Sequence, residues 1–115
     1  MALLIKRLAQ ASRYDAPNHF DVRSLRLQGF EEGGPRSLWL GISYFLPGGG
    51  AGPDSGALEK VYLVLSGRLT LRAGGEEIVL GPMDSVCIPP NLVREIKNEG
   101  NEVVTMLVTM PLPPS

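Results

Sequence analysis

Short apolar runs separated by clusters of glycine, proline and polar residues recur along almost the whole chain. Residues 37–46 (SLWLGISYFL) combine aromatic and β-branched side chains and are followed by Pro47, a pattern that predicts a strand. The same pattern predicts strands over 22–27, 76–80, 85–88, 92–97 and 102–110, and two strands hinged at Ser66-Gly67 over 59–71. About seven to nine short strands without a convincing helix predict an all-β domain, either a sandwich or a barrel.

The residues between these runs predict the connections. The 14 glycines and 10 prolines are spread along the chain rather than gathered in one tract, as expected for strands joined by tight turns. Residues 73–75 (Ala-Gly-Gly) predict a hairpin turn. Residues 48–56 (GGGAGPDSG) form the longest breaker segment and predict a flexible loop. Residues 1–13 fit either a short helix or an edge strand.

The nearly balanced charge excludes function classes that depend on a strongly charged surface. The chain has 115 residues, of which 11 are basic and 12 acidic. It therefore fits one domain that binds neither nucleic acid nor a membrane surface. The apolar run at the N-terminus is only about four residues long and precedes the first basic residues, the reverse of the secretory order. We therefore expect a cytoplasmic protein.

Ten residues between positions 48 and 98 follow two regular spacings. The first set is Gly48, Asp54, Gly56, Lys60 and Gly67, and the second is Met83, Pro89, Asn91, Arg94 and Asn98. In order and spacing they resemble the two sequence motifs of the cupin family, in particular its small single-domain members. The resemblance implies a double-stranded β-helix, or jelly-roll, barrel over 21–110. Residues 1–20 would then contain a candidate dimer-contact strand, and 111–115 would form an extended tail.

The resemblance also identifies the positions at which metal-binding cupins place their ligands. Those members hold a divalent cation with two histidines and a glutamate from the first motif and a histidine from the second. Here the matching positions carry Asp54, Gly56, Lys60 and Arg94. Glycine has no ligand atom, and the two basic side chains are cationic donors. We therefore expect no metal and no other cofactor, and any activity is expected to be metal-independent.

Strand alternation predicts what the barrel contains instead. If Lys60 points inward, Tyr62 shares its face, and Arg94 and Asn98 lie on one face of another strand. Two buried cations would favour a small organic anion. Burial and the Arg94 charge would both lower the Lys60 pKa, which suits a general base or a Schiff-base lysine. The ligand-binding set is therefore Arg94, Lys60, Tyr62, Asn98 and Asp54, with Lys60 as the candidate catalytic residue of a lyase, isomerase or decarboxylase.

Two other functions remain open. The domain could bind its ligand without catalysis, as a sensor does. Alternatively, Arg94 and Lys60 could pair with Asp54 or Glu95 and only hold the barrel together, in a protein with a structural role. Either Trp39 or Tyr44 is expected at the cavity mouth, since the register of their strand is ambiguous.

The remaining candidate residues have simpler expected roles. His19, the single histidine, is expected in a solvated polar loop. The single Cys87 cannot form an internal disulfide and is expected to be a small buried hydrophobic residue. Small cupins usually form homodimers, and the apolar start of this chain could cover the sheet edge of a second copy. A homodimer is therefore expected.

Overall fold

The computed structural model describes residues 3–113 and contains nine strands and one short 3-10 helix. The helix is η1 (Leu8–Gln10). The strands are β1 (Ser12–Tyr14), β2 (His19–Gln28), β3 (Leu38–Asp54), β4 (Lys60–Ser66), β5 (Leu69–Ala73), β6 (Glu76–Leu80), β7 (Ser85–Ile88), β8 (Arg94–Lys97) and β9 (Val104–Pro111). The prediction of an all-β fold is confirmed. Within residues 3–113, no helix is long and apolar enough to cross a membrane.

The strands form one antiparallel sheet that curls into a nearly closed barrel. Its order is β6-β5-β8-β3-β9-β4-β7, and β2 pairs with β3 and with β1 outside this path. Alternate residues of each strand point inward, and the fully buried ones include Phe45, Val64, Leu69, Ile96 and Val104. These side chains belong to one hydrophobic core, several members of which also line the polar cavity described below.

Most predicted strands lie close to the observed ones. Strands β6 and β7 match the predicted 76–80 and 85–88, and the hairpin turn falls at Gly74 and Gly75, with φ of 58° and 78°. Strand β8 starts two residues later than predicted, and β9 runs from Val104 to Pro111. The uncertain N-terminal segment contains both alternatives, a helical turn and a short strand.

The prediction of a flexible loop over 48–56 is wrong. The glycine-rich residues continue β3 to Asp54, where Gly50 pairs with both Phe20 of β2 and Lys97 of β8. A Cβ atom on Gly50 would lie 2.2 Å from the carbonyl oxygen of Ile96. The glycines therefore allow neighbouring strands to approach closely, a use of glycine that sequence pattern does not distinguish from a loop.

Motif positions that match the cupin pattern have structural roles. Met83 and Asn91 stand where the second motif has glycine, and their φ values are 68° and 66°. Gly67, which ends the first motif, has a φ of 82°. Left-handed backbone of this kind favours glycine or asparagine. These motif positions thus lie at turns of the barrel, whether glycine is retained, as at Gly67, or replaced, as at Met83 and Asn91.

The exposure of Cys87 and of the apolar N-terminal residues bears on two further expectations from the sequence. Cys87 is exposed, so its predicted burial is wrong; on β7 the alternating residues Val86 and Ile88 take the inner face. Near the N-terminus, Leu3 and Ile5 are 84% and 63% exposed. The homodimer stays a prediction.

Candidate functional site

A cavity of about 380 Å³ lies between the barrel wall and the N-terminal segment, a volume suited to a small molecule. Strands β2, β3, β4, β8 and β9 all contribute to it. Its apolar lining is Ala16, Pro17, Trp39, Met106, Val108 and Met110, and its polar lining is Tyr14, Asp15, His19, Arg26, Ser43, Asp54, Ser55, Lys60, Tyr62 and Arg94. Of the two aromatic candidates for the mouth, Trp39 lines the cavity and Tyr44 takes the opposite face of β3.

Arg94 is the most buried cation of the cavity. It begins β8 opposite Asp54 of β3, and it is only 6% exposed. Its Nε donates a hydrogen bond to the Tyr62 hydroxyl at 2.9 Å. Its Nη1 is buried and has no hydrogen-bond partner among residues 3–113. A buried charged donor without a partner is unfavourable for the fold, so this atom suggests a role in binding.

Lys60 is half-buried at the start of β4, beside Gly56. A Cβ atom on Gly56 would lie 3.5 Å from the Lys60 Nζ. Burial and then the Arg94 charge lower the Lys60 pKa, while the Asp54 charge partly opposes them. This is the direction expected from the sequence. The lowered pKa increases the fraction of neutral amine available for chemistry.

The contacts of Lys60 and Arg94 do not support the alternative that these cations are paired with protein carboxylates. Among residues 3–113, neither cation forms an ion pair within 4.0 Å. Glu95 instead contacts Arg72 at 3.4 Å on the outer surface. The nearest acidic side chains therefore do not form ion pairs with the two cations of the cavity.

Asp54 lies in the cavity but is held by other donors. It accepts hydrogen bonds from the Asn18 side chain at 3.0 Å and from the Ser55 backbone N–H at 2.8 Å. The Ser55 and Asn18 bonds lower the Asp54 pKa, with further contributions from the Arg94 and Lys60 charges. Asp54 is thus an ionised carboxylate at the cavity wall.

Asn98 is in a different place from the one expected. It is buried, but it does not line the cavity. Its amide donates hydrogen bonds to the carbonyl oxygens of Phe45 and Glu102, and its Oδ1 accepts one from the Gly100 N–H. Alternation correctly predicted that Asn98 points inward. Its three hydrogen bonds with main-chain groups, just after the end of β8, give it a structural role. The expectation that it contacts the ligand is corrected accordingly.

His19 lies in the cavity, contrary to the expected solvated loop. It is the first residue of β2 and pairs with Ala51 of β3. Its Nδ1 is 2.8 Å from the Pro17 carbonyl oxygen, which can only accept, so Nδ1 carries the proton and Nε2 has the lone pair in the neutral ring. Burial lowers the His19 pKa, and the Arg94 and Lys60 charges lower it further.

This environment gives a pH-dependent prediction. Because the His19 pKa is lowered from 6.5 in the folded protein, the unfolded chain binds more protons as the pH falls below 6.5. The His19 contribution to stability is therefore complete above that pH and is lost below it, toward the lower folded pKa. NMR titration of the single histidine should give a midpoint below 6.5, and denaturation of wild type and His19→Gln should diverge below pH 6.5. A midpoint above 6.5 would contradict the burial argument.

Arg26 is the second cavity residue that the sequence analysis missed. It lies on β2 opposite Gly41, and its guanidinium carbon is 4.3 to 5.6 Å from the ring centroids of Phe30, Tyr14 and Trp39. Its Nε is buried without a hydrogen-bond partner among the described residues. Ser24 and Arg26 share a face of β2, and strand alternation could have identified that face as the inner one. Because polar residues lie on both faces of β2, the sequence pattern did not distinguish the inner face from the outer one.

The donor set at the inherited metal positions does not fit a divalent cation. Lys60 and Arg94 bring positive charge, and Gly56 brings no side chain, so Asp54 is the one anionic donor of the four. Within residues 3–113, no group of three or more His, Cys, Asp or Glu side chains comes together.

Comparisons with known proteins agree with this architecture. A family model for the cupin domain matches residues 41–110. The β-D-galactosidase Rv1717 of Mycobacterium tuberculosis is 41% identical over 109 residues, which cover 95% of this chain and 94% of that protein. The polyketide cyclase RemF from Streptomyces resistomycificus has a TM-score of 0.82 at 20% identity, over 96% of this chain and 83% of that one. An RmlC-like cupin from Shewanella frigidimarina has a TM-score of 0.78 at 16% identity, over 99% and 95%.

Proposed function

The chain belongs to the cupin family, and we propose that this member binds a small organic anion through fixed cationic side chains in its barrel. The observation that carries the proposal is Arg94, which is 6% exposed and has a buried Nη1 without a partner among residues 3–113. A carboxylate is the natural partner of such a guanidinium, because it accepts two parallel hydrogen bonds.

Lys60 is the candidate catalytic residue for a bound acid. Burial and the Arg94 charge lower the Lys60 pKa, which favours the neutral amine that can take a proton from a carbon next to a carbonyl. The neighbouring Arg94 charge would stabilise the negative charge that develops on the substrate. This chemistry is that of a metal-independent isomerase, lyase or decarboxylase. A protein that binds the acid without turnover would use the same cavity.

Calorimetry with matched probes tests the anion proposal. Propionate and pyruvate should bind, and propionamide, which has the size of propionate but no charge, should bind at least about tenfold more weakly because it lacks charge-assisted hydrogen bonds. Lys60→Gln should weaken propionate binding while the melting temperature changes little, since Lys60 is only half-buried. Equal binding of propionate and propionamide would contradict the proposal.

A β-galactoside is the second candidate ligand, and the 41% identical relative named a β-D-galactosidase favours it. Glycoside hydrolysis commonly uses a pair of carboxyl groups. Asp54 is ionised and could serve as the base or nucleophile, and Lys60, with its lowered pKa, could donate a proton to the leaving group. This assignment makes Asp54, rather than Arg94, the essential residue.

Two chromogenic substrates separate the candidates. Hydrolysis of nitrophenyl β-D-galactoside that is lost in Asp54→Asn would support the galactoside candidate. Nitrophenyl β-D-galacturonide differs by a carboxylate in place of the C6 alcohol. Preferential hydrolysis of the galacturonide would place a sugar acid in the anion site. Hydrolysis of neither substrate, together with propionate binding, would leave the small-acid proposal as the supported one.

A further inference from the structure

The cavity has more positive charge than one carboxylate ligand can balance. Three cationic side chains line it, Arg26, Lys60 and Arg94. Among the described residues, Asp54 is the one acidic side chain that faces Lys60 and Arg94. Asp15 also reaches the cavity, but its side chain is 90% exposed and lies 3.8 Å from Arg13 outside the cavity. Two positive charges therefore remain unbalanced by the groups of residues 3–113.

Arg26 contributes one of these charges independently of Arg94. Within residues 3–113 its side chain forms no ion pair, and its buried Nε has no hydrogen-bond partner. Packing of the guanidinium against the Phe30, Tyr14 and Trp39 rings fixes its position and stabilises its charge by cation–π attraction, but it leaves the in-plane N–H donors free.

The two arginines enter the cavity from different parts of the barrel. Arg94 lies beside Asp54 at the end of β3, whereas Arg26 lies on β2 beside Gly41 in the first part of β3. Gly41 lets the Tyr14 and Trp39 side chains pack closely beside Arg26, because a Cβ atom there would lie 2.9 Å from the Tyr14 hydroxyl and from the Trp39 ring. Val108, the partner of Gly41 on β9, adds an apolar wall to the same cavity.

We propose that the ligand of this cavity is a dianion, a small dicarboxylic acid with one carboxylate on Arg94 and Lys60 and the other on Arg26. This inference rests on the proposed anion-binding function and names its substrate class. The apolar wall fits the carbon chain between the two charges. A dianion would balance both unpaired cations, whereas a monocarboxylate would leave one of them buried without a partner.

Calorimetry at constant ionic strength tests this proposal with acids of equal chain length. Succinate should bind at least about tenfold more tightly than butyrate, and glutarate more tightly than valerate, because each dianion gains charge-assisted hydrogen bonds. Arg26→Met should reduce the preference for the diacid over the monoacid of equal chain length to about one. Arg26→Gln is the second variant, should methionine disturb the aromatic cluster.

Arg23→Met is the matched control, because Arg23 is an exposed arginine on the outer face of the same strand. It removes one positive charge and should retain the diacid preference. Equal affinity of wild type for succinate and butyrate would overturn the dianion proposal and leave the anion proposal standing. A diacid preference that survives in both Arg26 variants would overturn the role of Arg26. Failure of wild type to bind any of the four acids would reject both proposals.

Discussion

Replacing Arg94 with methionine is expected to abolish binding of organic acids and to leave the fold at least as stable as the wild type. The wild-type side chain buries a charge whose Nη1 has no partner among residues 3–113. Methionine has a similar length and no charge to desolvate. Replacement of buried ionic groups by apolar ones of similar volume is often neutral or stabilising, by about 1–4 kcal/mol. The Tyr62 hydroxyl loses its hydrogen bond from Arg94, which offsets about 1 kcal/mol of this gain.

Urea denaturation and calorimetry with propionate on the same variant measure both effects. We expect an unchanged or higher free energy of unfolding and a loss of affinity of about a hundredfold or more, as for removal of a buried charged hydrogen-bond donor. Lys97→Met provides the control, since Lys97 lies on the outer face of the same strand. A loss of more than about 3 kcal/mol of stability in Arg94→Met would instead identify a paired structural cation.

The second large effect is expected at Gly50. Gly50→Ala should destabilise the protein by more than about 3 kcal/mol, because the new Cβ would lie 2.2 Å from the Ile96 carbonyl oxygen. A backbone atom cannot rotate away as a side chain can, so β3 and β8 would have to separate where Gly50 pairs with Lys97. Overpacking and the lost strand pairing would both lower the free energy of unfolding.

Thermal and urea denaturation of Gly50→Ala and Gly100→Ala test this expectation. Gly100 has ordinary backbone geometry, and a Cβ there would lie 3.6 Å from the Asn98 Oδ1, so its replacement should change stability by less than about 1 kcal/mol. Similar melting of the two variants would show that the glycine-rich part of β3 is not packed as described. The register of that segment matters for function because it brings Asp54 opposite Arg94.

The sequence by itself determined the all-β fold, most of the strands and which residues share a face of β4 and of β8. These features are local: residues two apart share a face of a strand, and glycine and proline end or bend strands wherever they occur. Alternation therefore put Lys60 and Tyr62 on one face of their strand before any pairing of strands was known, and the resemblance to the cupin motifs implied that this face and Arg94 point inward. The spacing of the cupin motifs indicated which positions correspond to the metal ligands of other cupins, and Lys60 and Arg94 stand at two of them.

Only the tertiary structure decided which of these residues share the cavity. The pairing of β2 with β3 joins residues far apart in the chain, and it is this pairing that brings His19 and Arg26 into the cavity that Lys60 and Arg94 also line. It also turns the glycine-rich segment into strand, because glycine permits both a loop and a close approach of backbones. Asn98 obeys alternation but is bound by main-chain groups. Charge balance in the cavity, and with it the expected dianion, depends on these nonlocal contacts, which local periodicity does not encode.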